Sequence, residues 1–131
     1  MVFRDLNIVQ SRIPHCLSLA VLDIEHGTVL GMVSEMDEAL DGGQLSAAAG
    51  EFFGGDDPEL TQRLLHAGGD ADLEPTDLRD VIVQSGDVLH VFCRSLKVPA
   101  RILLCVCRAE AGLGPILAGS RLALEELQDL A

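Results

Sequence analysis

Four cysteines, four histidines, a few carboxylate runs and one glycine-rich turn are the residues of this chain that could do chemistry. Cys105 and Cys107 alternate, so on a strand both leave the same face. Cys93 and Cys16 could lie nearby. A structural zinc site usually carries Cys-x-x-Cys spacing, which is missing here. Buried cysteine otherwise packs as a small hydrophobe. The expectation is therefore four reduced core thiols and no metal. His15, His26, His66 and His90 share no spacing that suggests ligation. His90 is expected on a strand, with its ring at the surface.

Asp70-Ala71-Asp72-Leu73-Glu74 imitates the opening of a calcium loop. Pro75 stands where that loop needs glycine, and Val81 where it needs a bidentate glutamate. Gly112-Leu113-Gly114 precedes a helix, the context of a dinucleotide fingerprint, but Leu117 holds the third glycine position. Pro115 suits a first helical turn instead. The chain has no Gly-x-x-x-x-Gly-Lys, and no serine or cysteine nucleophile has a recognisable base. No catalytic residue, cofactor or metal is expected.

Elements follow from apolar spacing. Leu6, Val9 and Ile13 recur as on a short helix closed by Pro14. Cys16 to Asp23 is apolar at nearly every position, which suits a strand covered on both faces. His26-Gly27 turns the chain, and Thr28 to Val33 returns it as a second strand. Leu45, Ala48, Ala49 and Phe52 stand at i, i+3, i+4 and i+7, one face of a helix. Gly54-Gly55 interrupts that helix, and Asp57-Pro58-Glu59 restarts it. Strands then run over Val81 to Gln84, Val88 to Cys93 and Ile102 to Cys107. The last helix covers Leu113 to Leu130, with Leu117, Leu124 and Leu127 on its apolar side. The first and last strands have no polar face, so they belong in the middle of an antiparallel sheet with helices on both sides.

Composition limits the partners. A chain of 131 residues, 48% hydrophobic, is expected to form one domain over residues 1–131. Its net charge of −12 argues against nucleic acid and anionic membrane surfaces, which need clustered lysine and arginine. The acid is concentrated. Glu51 to Asp80 holds nine acidic residues and two arginines, a net of −7. No apolar run approaches the ~20 residues that span a bilayer. The N-terminal residues do not read as a signal peptide, so a cytoplasmic location is expected.

This order of elements resembles the Roadblock / dynein light chain family. The matching pieces are Leu19-Ala20-Val21-Leu22-Asp23 with Gly27 after it, Val81-Ile82-Val83-Gln84, His90-Val91-Phe92, and Ile102 to Cys107 followed by Ala111-Gly112-Leu113-Gly114. The resemblance covers almost the whole chain. It implies a five-stranded antiparallel sheet between helices, an α+β fold similar to profilin and longin modules. It also implies a non-catalytic homodimer that scaffolds or regulates a small Ras-like GTPase, or a motor subunit. The family dimerises through its middle helix and third strand. That makes Leu45, Ala48, Ala49, Phe52, Val81, Ile82, Val83 and Gln84 the interface candidates. The short first helix and the break at Gly54-Gly55 depart from the family pattern. Asp70, Asp72 and Glu74 are candidates for docking a basic partner by charge. Two other readings stay open. One is a structural dimerisation subunit of a larger assembly. The other is a ligand sensor like PAS or GAF modules, against which the scarcity of aromatics (four Phe, no Trp or Tyr) counts.

Overall fold

The computed structural model describes residues 6–35, 42–53, 63 and 78–130. Its elements are α1 (Leu6–Ser11), β1 (Cys16–Asp23), β2 (Thr28–Ser34), α2 (Gly42–Phe53), β3 (Asp80–Ser85), β4 (Val88–Arg94), β5 (Arg101–Arg108) and α3 (Leu113–Leu130). A 3-10 turn, Ala109–Ala111, leads into α3. The strands form one antiparallel sheet in the order β2-β1-β5-β4-β3. The helix restart at Asp57 and the acidic loop at Asp70, Asp72 and Glu74 lie outside the described residues.

The two strands with unbroken apolar runs take the centre of the sheet, as their composition requires. β1 and β5 are buried along almost their whole length. Leu19 and Val21 of β1, with Leu103, Cys105 and Cys107 of β5, pack toward Val9 of α1 and Ile116 and Leu127 of α3. Ala20, Leu22, Ile102, Leu104 and Val106 face the other way, toward Ala49 and Phe53 of α2. Alternate residues of one strand thus feed two separate cores. Each full burial of a Leu, Ile or Val stabilises the fold by about 1.5–3 kcal/mol.

α3 is buried through Ile116, Ser120, Ala123, Leu124 and Leu127, one continuous helical stripe. The expected stripe is rotated slightly: Ile116 is fully enclosed, whereas Leu117 is half-buried. At Gly119 the helix passes close to the segment after α1, where an added Cβ would stand 3.4 Å from Pro14 Cδ. Gln10, buried in α1, donates through Nε2 to the Cys16 carbonyl at 3.1 Å and ties that helix to the start of β1. Gly27 and Gly86 take φ of 65° and 62° in the β1–β2 and β3–β4 turns, where a side chain would be strained.

Candidate interaction surface

α2 sits on the sheet face made by β1 and β2. Ala49 and Phe53 point into that face and are 0% and 2% exposed. Ser46, also buried, lies with Oγ 3.3 Å from the Asp23 carbonyl and 3.4 Å from the Thr28 carbonyl. The C-terminal end of α2 is held from β4. Arg94 donates through Nη2 to the Phe53 carbonyl at 2.9 Å, and its guanidinium lies 4.9 Å from the centre of the Phe53 ring. A cation suits a helix C-terminus, where the last carbonyls lack amide partners.

The candidate interface residues divide between the chain's own core and its surface. Ala49 is wholly enclosed in the core. Leu45 and Ala48 are half-buried. Phe52 keeps 38% of its surface and meets Phe92 edge-on, with centroids 5.3 Å apart and an interplanar angle of 71°. β3 ends the sheet, paired to β4 and, among the described residues, to no strand beyond it. Val81 and Val83 stand opposite Phe92 and His90, on the α2 side. Ile82 stands opposite Val91, on the α3 side. Ile82 and Val83 are exposed, and Gln84 reaches back to the Gly86 carbonyl at 3.4 Å. The structure thus brings Phe52 and the β3 edge to the surface of one end of the sheet.

Sequence spacing identified the helix and gave Phe52 to the interface face; it did not single out Phe53, which fills the core. A four-residue stripe is about 100° wide, so the next residue along can carry the contact. Arg94 was not anticipated. The only signal for it is a cation directly after the buried run Val91-Phe92-Cys93.

Other polar groups among the described residues gather at two places. A cavity of about 200 Å³ opens between the start of β3 and α3, lined by Arg79, Asp80, Cys93, Arg121 and Glu125 among others. Arg121 is engaged there with Asp80 at 2.6 Å. Burial, then the Asp80 carboxylate, pushes the Cys93 thiol up to about 12, so it is no nucleophile near neutral pH. On the β1–β2 turn, Asp23, Glu25 and His26 offer three polar groups within 4.8 Å. The Asp23 carboxylate is already occupied, accepting the amides of Glu25 and His26 at 2.9 and 3.2 Å and meeting His26 Nδ1 at 2.9 Å. His90, expected at the surface, is half-buried with Nδ1 enclosed. No described helix is long and apolar enough to cross a membrane.

No family model and no curated protein sequence matches the chain. Solved structures do. The gliding protein MglB from Thermus thermophilus superposes with a TM-score of 0.69 at 16% identity, covering 100% of this chain and 95% of that one. A Roadblock/LC7 domain from Streptomyces avermitilis gives 0.67 at 16% identity, covering 95% and 92%. Myxococcus xanthus MglB gives 0.66 at 10% identity, covering 99% and 92%. This chain has the Roadblock fold.

Proposed function

We propose that this chain is a non-catalytic, dimeric scaffold or regulator of a small Ras-like GTPase, acting through the surface formed by α2 and β3. One observation carries the reading. β3 is an edge strand with Ile82 39% and Val83 37% exposed, next to β4, whose Phe92 meets the exposed Phe52 of α2. Unpaired strand edges favour pairing with another strand, and a two-fold axis perpendicular to β3 would pair the two copies antiparallel and join two sheets into one. The shared fold supports this, since one MglB structure has a tetrameric arrangement. Asp70, Asp72 and Glu74 would serve as an electrostatic landing strip for a basic partner. A structural subunit of a larger assembly would use the same surface without a GTPase.

Light scattering at micromolar concentration should report twice the 14.0 kDa protomer mass. Ile82→Lys should yield a folded monomer, because a charge on an exposed edge blocks pairing and perturbs little core. A wild-type monomer would remove the dimer. Pull-down against small GTPases loaded with GDP or GTP then separates the regulator from the structural subunit, which would retain neither form.

A further inference from the structure

Cys16 and Cys107 stand directly opposite each other across β1 and β5. The Cys16 amide bonds to the Ile13 carbonyl at 3.3 Å, while the Arg108 amide bonds to the His15 carbonyl at 3.1 Å. The Arg108-to-His15 bond flanks the pair, as beside a non-hydrogen-bonded antiparallel position, and an irregularity in the β1–β5 register falls just beyond it, between Cys16 and Ser18. Non-hydrogen-bonded pairs bring Cα atoms to about 4.5 Å and side chains closest together. Disulfides need Cα separations of about 4.4–6.8 Å. The backbone therefore already holds these two thiols where a bond between them can close. Cys105 is opposite Leu19, one step further along the same face.

The thiols are chemically unequal. Cys16 is the most exposed of the four at 8%, and Cys93, Cys105 and Cys107 are at 0%. Hydrogen bonds from Cys105, and next from Cys107, hold the Cys16 thiol well below its ordinary range. The same contacts push both partners up. Cys105 is further engaged by Ser120, whose Oγ donates to its sulfur at 3.3 Å. A metal ion is a poorer occupant. Sulfurs on one zinc, at about 2.3 Å each, lie within about 4.6 Å of one another. Among the described residues, the only three ligating groups mutually within 4.8 Å are Asp23, Glu25 and His26.

We propose that Cys16 and Cys107 form a modification site: a dithiol that a peroxide oxidises to a disulfide. The Cys16 thiolate attacks one peroxide oxygen, the O–O bond breaks, and the other oxygen leaves as water after taking up a proton. Cys16 is then a sulfenic acid. The Cys107 thiol attacks its sulfur, the S–S bond forms, and the S–O bond breaks. The hydroxyl leaves with the Cys107 proton as a second water. Two thiols are oxidised by two electrons and one peroxide is reduced. The site lies on the α1–α3 side of the sheet, away from the α2 surface, so it stands independently of the proposed dimer.

The test uses the full chain, reduced and then exposed to hydrogen peroxide while folded. Remaining thiols are alkylated and the peptides mapped by mass spectrometry. The expected result is a fall from four free thiols to two, with one cross-linked species joining Cys16 to Cys107 and reversed by dithiothreitol. Cys107→Ser should lose the cross-link and leave a Cys16 sulfenic acid that dimedone traps. Four alkylated cysteines after peroxide, a bond to Cys105 or Cys93, or sulfinic acid at Cys16 without a cross-link would each overturn the proposal. The wild-type map decides on its own if the variant fails to fold.

Discussion

Arg94 is a cation kept inside because the end of α2 gives it partners. It is 5% exposed, and it links β4 to the Phe53 carbonyl and ring. Arg94→Met preserves the aliphatic stem but removes the charged hydrogen bond. A loss of about 1.5–3 kcal/mol is expected, read from the urea midpoint; a loss under about 0.5 kcal/mol would mean the carbonyl is equally well served by water. At the β1–β2 turn, Asp23 supplies a hydrogen bond and a charge that raise the His26 imidazole above its ordinary 6.5. Stability from a raised histidine is complete below the unfolded-chain value and fades as pH rises through the folded one. Asp23 runs the opposite way. Burial pushes its carboxyl up, but the His26 ring and the two amides outweigh that and bring it below 3.8. Its stability is present above the unfolded value and lost as pH falls through the folded one. The turn is therefore firmest between 3.8 and 6.5. Proton NMR should show His26 titrating above 6.5 in the wild type and falling in Asp23→Asn; an unshifted wild-type ring would show that the pair does not form in solution.

Elements were legible wherever burial was two-sided or glycine was obligatory. Cys16–Asp23 and Ile102 to Cys107 announced themselves as central strands because they are apolar at nearly every position, and Gly27 marked the turn between β1 and β2. What stayed hidden depends on rotation and on distant partners. Phe53 rather than Phe52 fills the core because α2 is turned by one residue relative to its most hydrophobic stripe. Arg94 meets Phe53 across 41 positions of chain, a contact no local pattern encodes. Alternation put Cys105 and Cys107 on one face, but only strand pairing sets Cys16 opposite Cys107. α3 shows another case. Gly119 costs a helix interior about 0.5–1 kcal/mol relative to alanine. A Cβ there would make ordinary contacts, 3.4 Å from Pro14 Cδ and 3.5 Å from Ile13 Cα. Gly119→Ala should thus raise stability by about 0.5–1 kcal/mol. A thermal midpoint that falls instead would show that α3 packs too tightly on Arg12, Ile13 and Pro14 for the added methyl.

For the whole molecule, charge sets the sign of every association. Each protomer carries −12, and its most acidic stretch, Glu51 to Asp80, begins on α2 and ends on β3. A homodimer through those elements brings like charges together. A basic partner docking there brings opposite charges together. Screening length falls from about 30 Å at 0.01 M salt to about 8 Å at 0.15 M, so the two associations respond oppositely to salt. Self-association should tighten over that range, measured by sedimentation equilibrium. Capture of a basic GTPase should slow, mostly in the on-rate, measured by stopped flow. Replacing Asp70, Asp72 and Glu74 by Asn, Asn and Gln should move both without added salt. The dimer should become tighter in 0.01 M salt, and partner association slower with dissociation little changed. Dimerisation that weakens with salt would mean that the protomers meet through complementary charges rather than the apolar edge of Ile82 and Val83. An on-rate indifferent to the triple substitution would return those three carboxylates to the role of solvated surface, leaving the proposed partner contact to α2 and β3 alone.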